Sequence, residues 1–189
     1  MKAKPSCCAI VIILAVMFPV LGLSQGQQLL IENAGFESAG TIAGWTAERA
    51  PGAGGGIYGI DSSVHHGGNQ SLVLRHMNPG SSAIVSTPIQ LQVGKLYRLS
   101  GWIRTENAVA DPLSRYPSAL PAVLAMASFP FTNTSMPVGG TRDWTKSEVV
   151  FIATQKADRV VLRLGCNGSA MGSAWLLNPT KLLRSIFLP

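Results

Sequence analysis

The 189-residue chain holds 15 Lys and Arg against 9 Asp and Glu, a formal charge of +6, and 47% of its residues are hydrophobic. The basic residues are scattered rather than clustered, which argues against nucleic acid as a partner. The length allows one domain with a proper core, and the 20 Gly and 12 Pro leave little room for long helices.

In chain order, Lys2 and Lys4 precede an apolar run over 7–23 and then Ser24-Gln25-Gly26-Gln27. A basic start, a hydrophobic middle and a small, polar end read as a secretory signal peptide over residues 1–24. Pro19 and the small residues after it argue against a retained anchor, so no stable membrane insertion is expected after cleavage. Residues 25–189 are then a single secreted domain, extracellular or periplasmic. Removing the signal takes Cys7 and Cys8 and leaves Cys166 alone, so no intrachain disulfide can form. It also takes Lys2 and Lys4, so 13 basic residues face 9 acidic ones and the charge falls to +4. Such a balance weakly favours an anionic surface or polymer.

The remaining chain shows short alternating runs bounded by turn residues, at 29–32, 70–76, 82–91, 95–105, 120–129, 144–153, 159–166 and 173–183. Strands of that length and spacing predict an all-β sandwich or barrel. The Ala-rich piece at 120–127 is helix-compatible, but Pro121 and Phe129-Pro130-Phe131 favour an extended segment. Within 95–105, Tyr97, Leu99, Gly101 and Ile103 fall on one face and Arg98, Ser100, Trp102 and Arg104 on the other. Within 159–164, Val160, Leu162 and Leu164 read as core, with Arg159, Val161 and Arg163 outward. Val149 and Phe151 fit the core too, while Val150 and Ile152 imply a second buried side.

Little in the chain reads as chemistry. The acids show no spacing that selects a catalytic pair, so no catalytic constellation is expected. His65 and His66 are adjacent and point to opposite faces when extended, which disfavours a shared metal. They and His76 read as turn histidines exposed to water. Cys166 reads as a buried, inert thiol. The segment 52–56 lacks the Gly-Lys-Ser/Thr ending of a phosphate loop and reads as a flexible loop. Three Asn-X-Ser/Thr triplets, at Asn69, Asn133 and Asn167, are short turns that match the glycosylation pattern by chance.

An ordered series then stands out: Asn33-Ala34-Gly35-Phe36-Glu37, Gly44-Trp45, the segment 64–72, 94–105, Gly140-Thr141-Arg142-Asp143-Trp144-Thr145, and Gly172-Ser173-Ala174-Trp175. It resembles the CenC-type carbohydrate-binding modules, of the galactose-binding-domain-like superfamily, over about residues 29–182. The resemblance implies a jelly-roll β-sandwich and a non-catalytic carbohydrate-binding module tied to glycoside hydrolase activity, with a polysaccharide or glycan as partner. The alternative it leaves open is a structural or protein-interaction domain appended to an extracellular enzyme such as a peptidase.

The resemblance also implies a structural Ca2+ ion, with Glu37 and Asn178 as ligands and loop carbonyls over 64–68 completing part of the shell. Leu177 stands where such modules carry an acid, which lowers the charge available to the ion. Pro179 removes an amide, so the last strand should lie at a sheet edge or be distorted. For the sugar, Trp102 offers a flat apolar ring among polar neighbours, with Arg98, Arg104 and Arg163, and also Arg75, expected on the same face. Tyr58, in the glycine-rich loop, is the other reachable aromatic. Trp45, Trp144 and Trp175 read as rings that seal the sandwich. Two readings stand at Trp102: a ring open to a saccharide, or one packed beneath a loop such as 107–119.

Overall fold

The computed structural model describes residues 27–38, 40–48, 54–77, 81–82, 84–110, 121–165, 170–177 and 182–185. The expected signal peptide, Cys166, Asn167, Asn178 and Pro179 lie outside these residues. The described chain forms thirteen strands: β1 (Gln27–Leu29), β2 (Thr46–Glu48), β3 (Gly54–Gly55), β4 (Ile57–Asp61), β5 (Ser71–His76), β6 (Ser81–Ser82), β7 (Ile84–Gln90), β8 (Leu96–Ala110), β9 (Ala122–Met126), β10 (Gly140–Ile152), β11 (Ala157–Leu164), β12 (Ala170–Leu177) and β13 (Leu182–Ser185). Among the described residues no helix is long and apolar enough to cross a membrane.

Two antiparallel sheets face each other. In the first, β10, β8, β12, β5 and β4 lie side by side, and β13 with β1 continues along the start of β8. The second runs β2, β7, β11, β9. Leu72, Leu74, Leu99, Ile103 and Leu176 of the first sheet meet Val85, Leu124, Met126, Val160 and Leu162 of the second in one core. The expected all-β sandwich is what forms, because alternating residues turn one apolar face of each sheet toward the other. Tyr97 is buried with Phe151 at 5.8 Å between ring centroids, and its hydroxyl accepts the Gln92 N–H.

Several sequence expectations need correction. Val150 and Ile152 are exposed, 53% and 58%. Among the described residues strand β10 pairs with β8 alone, and its outward side meets water, where isolated exposed β-branched residues suit the pleat. His76 is fully buried, since it shares the inward face with Leu72 and Leu74. Its Nδ1 lies 3.2 Å from the Ala170 carbonyl, and burial pushes its pKa below the usual histidine value. Val161 and Arg163 do point away from the core, but they are buried too. The turn after β9 folds over the outer side of the second sheet, where Pro130 O accepts from Arg163 Nη2 and Phe131 lies 5.3 Å from its guanidinium. Part of the glycine-rich segment, Gly54–Gly55, pairs in parallel with Ser81–Ser82. The strand expected at 29–32 falls at 27–29, and the one at 173–183 divides into β12 and β13.

Strand β8 also runs five residues further than its alternation indicated. Its register with β12 moves from Ser173↔Glu106 to Met171↔Val109, and with β10 from Arg142↔Thr105 to Gly140↔Ala108. Both shifts place one extra residue in β8, so Asn107 takes φ 50° and the strand bulges. Opposite it, Gly172 has φ 106°, and a Cβ there would stand 2.2 Å from the Asn107 carbonyl oxygen. Gly172→Ala is expected to cost about 1–3 kcal/mol from the backbone conformation alone, with the clash adding to it. Chemical denaturation of the variant measures this, and an unchanged midpoint would mean that the bulge is not tight.

Candidate carbohydrate-binding face

Strand β8 turns Arg98, Ser100, Trp102 and Arg104 to the outer face of the first sheet. The neighbouring strands extend that face in rows. Trp102 stands between Lys146 and Leu177, Arg104 is opposite Trp175, and Ser173 lies between Arg75 and Glu106. Trp102 and Arg104 are partly buried, Arg98 is exposed and Ser100 is buried.

Trp175 points outward yet is only 4% exposed. The guanidinium carbons of Arg75 and Arg104 lie 5.8 and 5.7 Å from its ring centroid, a cation–π geometry on both counts. Its Nε1 donates to Asp61 Oδ2 at 2.8 Å. Asp61, the last residue of β4, also accepts from Ser63 Oγ at 2.6 Å and from the Ser63 and Val64 amides at 2.8 and 3.2 Å. Arg75 Nη2 stands 3.5 Å from Oδ2. Burial acts to raise the Asp61 pKa, but the donors outweigh it and bring it from 3.8 down to about 2.

Those bonds fix the start of the 62–70 loop, and Glu37 fixes its end. Glu37 Oε1 accepts from the Asn69 and Gln70 amides at 2.8 and 3.2 Å, and Oε2 from Asn69 Nδ2 at 3.3 Å. The Asn69 amide is the main reason that the Glu37 carboxyl titrates below its usual range. Clamped at both ends, the loop sets the His66 ring 4.2 Å from Trp102, at 32° between planes. Trp144 joins from the other side at 5.5 Å and 50° from His66. It comes from a second register shift, between Arg142 and Thr145, which puts an extra residue in β10. At the rim, Lys146 Nζ lies 2.7 Å from Glu148 Oε1, and this contact lowers the Glu148 pKa, helped by the charge of Arg98.

Two open clefts lie beside this cluster, each of about 580 Å³. Arg75, Glu106, Ser173 and Trp175 line the first; Arg104, Glu106, Asn107, Thr141, Arg142 and Asp143 line the second. Trp102 lines neither; the His66 ring packs against it.

The expected site residues thus separate. Trp102, Arg98, Arg104 and Arg75 share one face. Arg163 belongs to the other sheet, beneath Phe131, and leaves the set. Tyr58 sits on edge strand β4 rather than in a loop, and its register with Leu74 puts it on the opposite face from Trp102. Trp45 does seal the sandwich, packed 5.2 Å from Phe36 with its Nε1 donating to Glu32 O. Trp144 and Trp175, expected to do the same, are on the outer face. Alternation in Ala174-Trp175-Leu176, with Leu176 inward, carried that signal for Trp175. Nothing local marked His66. Glu37 accepts from the Asn69 and Gln70 amides and from the Asn69 side chain, and Asn178, the other expected calcium ligand, lies outside the described residues. No group of three or more His, Cys, Asp or Glu that could hold a metal occurs among the described residues.

A two-sheet sandwich that presents aromatic rings, guanidiniums and carboxylates on one outer face is the architecture of a carbohydrate-binding jelly roll. The chain belongs to the family CBM_4_9, carbohydrate binding domain, whose model matches residues 28–168. It is a non-catalytic carbohydrate-binding module, and the family gives no support to a protein-interaction spacer. No curated protein sequence matches the chain. Among solved structures it is similar to TmCBM61 in complex with β-1,4-galactotriose, at TM-score 0.56 and 16% identity, over 84% of this chain and 100% of that one. It is also similar to the CBM22-2 xylan-binding domain from Paenibacillus barcinonensis Xyn10C, at TM-score 0.53 and 14% identity, over 80% and 98%. A third is the arabinose-bound MgGH51 α-L-arabinofuranosidase, at TM-score 0.57 and 12% identity, over 86% of this chain and 27% of that one. These likenesses concern the fold.

Because the Asp61 pKa is depressed on folding, its contribution is fully present above about pH 4 and is lost as pH falls through about 2. It amounts to on the order of 2 kcal/mol. Asp61→Asn is expected to lower the melting temperature at neutral pH and to flatten its fall between about pH 4 and pH 2. A melting series against pH measures both; a parallel acid limb in the variant would show that Asp61 is not the group responsible.

Proposed function

We propose that this module, secreted after loss of its N-terminal signal, holds a polysaccharide chain against the outer face of its first sheet, for an associated glycoside hydrolase. The observation that carries the reading is the three-ring cluster of Trp102, His66 and Trp144 beside a charged rim. One face of a sugar ring presents C–H bonds, which stack on flat aromatic surfaces, while its hydroxyls need polar partners around the edge. The rings supply the first, and Arg98, Lys146 and Glu148 supply donors and acceptors for the second.

The clamps at Asp61 and Glu37 support a platform that is preformed. A loop held at both ends loses little further freedom when a ligand arrives, so more of the stacking energy appears as affinity. The scattered charge of the chain supports a partner other than nucleic acid, and the signal-like start supports a domain that leaves the membrane.

Affinity electrophoresis through gels containing xylan, β-glucan or β-1,4-galactan tests this reading. The unmodified domain should be retarded by at least one polymer. Trp102→Ala and His66→Ala should each weaken retention about tenfold, roughly the loss of one ring contact and its packing, while the folded state persists in melting curves. Retention that increases in His66→Ala would instead make the imidazole a cover on Trp102. Retention unaltered in both variants would move the sugar to another surface.

A further inference from the structure

The cations on this face are not all matched by acids, and the mismatch falls beside the ring platform. Arg75 has Asp61 at 3.5 Å and Lys146 has Glu148 at 2.7 Å. Arg104 has no carboxylate within ion-pair distance among the described residues; its guanidinium lies against Trp175. Two guanidiniums therefore approach one indole, with a single ionised carboxylate, Asp61, close to one of them. Arg98 and Arg142 likewise have no ion pair among the described residues, but of the three only Arg104 is held against an aromatic ring, and it opens on the second cleft together with Arg142.

Stacking on Trp175 restricts the guanidinium before any ligand binds, and its planar fork matches the two oxygens of a carboxylate. Along β8, Arg104 follows Trp102 by two residues, about 7 Å on the same face. That separation is on the scale of one sugar unit. Building on the platform reading above, we propose that the polysaccharide bears uronic acid residues and that Arg104 holds the uronate carboxylate in the second cleft while the chain lies on the rings.

Glu106 and Asp143 line that cleft as well, so it has two cations and two acids and no strong net field. Recognition therefore comes from the two parallel N–H bonds of Arg104 at short range, and a bare point charge does not replace it. Glu106 works against the ligand by like-charge repulsion.

The experiment uses the mature chain and several uronate-bearing polysaccharides, each paired with the same polymer after chemical reduction of its carboxyls to alcohols. Isothermal titration or affinity electrophoresis gives the acid-over-neutral affinity ratio. The expected ratio is about fivefold or more for at least one pair. Arg104→Gln and Arg104→Lys should both bring it to about one, and Glu106→Gln should raise it. Melting curves establish that each variant is folded; if Arg104→Gln does not fold, Arg104→Lys alone decides. A ratio of one in the unmodified domain overturns the uronate assignment and leaves the platform reading intact. Binding to neither member of any pair overturns both. A ratio that persists in Arg104→Lys overturns the bidentate role of Arg104.

Discussion

Strand β8 is hydrogen-bonded along both edges, to β10 on one side and to β12 and β13 on the other, and that double pairing sets the rest of the molecule. A slip of one residue would turn Leu99 and Ile103 to water and drive Trp102 and Arg104 into the core. The buried guanidinium would then have no partner, a penalty far larger than any gain from the indole. The register that closes the core is therefore the register that displays the candidate binding face. The bulge at Asn107 bends the strand beyond that face without breaking either ladder, because Gly172 leaves room for its carbonyl.

Trp175 connects the sheet to the loop above it. Its ring is covered by Arg75 and Arg104, and its N–H goes to an Asp61 carboxylate that also starts the 62–70 loop. Glu37, from a different part of the chain, ties the far end. The aromatic cluster thus rests on two carboxylates that never touch it. Both are acceptors for several N–H or O–H groups, and such charge-assisted bonds are among the stronger polar contacts a surface can offer. A tertiary scaffold of this kind holds His66 in place where the loop, with Gly67 and Gly68 in it, would otherwise wander.

Much of the fold was legible because strand alternation is a local property. The core faces of β8 and β11, and the extended state of the Ala-rich β9, follow from period two and from Pro121. Alternation states only that neighbouring residues point to opposite faces, however. It does not say which outward faces meet water. Val150 and Ile152 are exposed because, among the described residues, no strand or loop covers the outer side of β10, whereas Arg163, equally outward, is covered by the turn carrying Pro130 and Phe131. Tyr58 was misplaced for a related reason: glycine on either side hid a short edge strand whose pairing with β5 decides its direction.

By itself the sequence determined a β-sandwich, the outward position of Trp102, and the resemblance to carbohydrate-binding modules, because each depends on residue order within one strand or on a string of short motifs. Only the tertiary structure decided that His66 and Trp144 complete the ring cluster, that Trp175 is dry beneath two arginines, and that Arg163 belongs elsewhere. Those outcomes depend on the register between strands far apart in the chain and on loop ends clamped by distant carboxylates. No local period in the sequence encodes such long-range pairings.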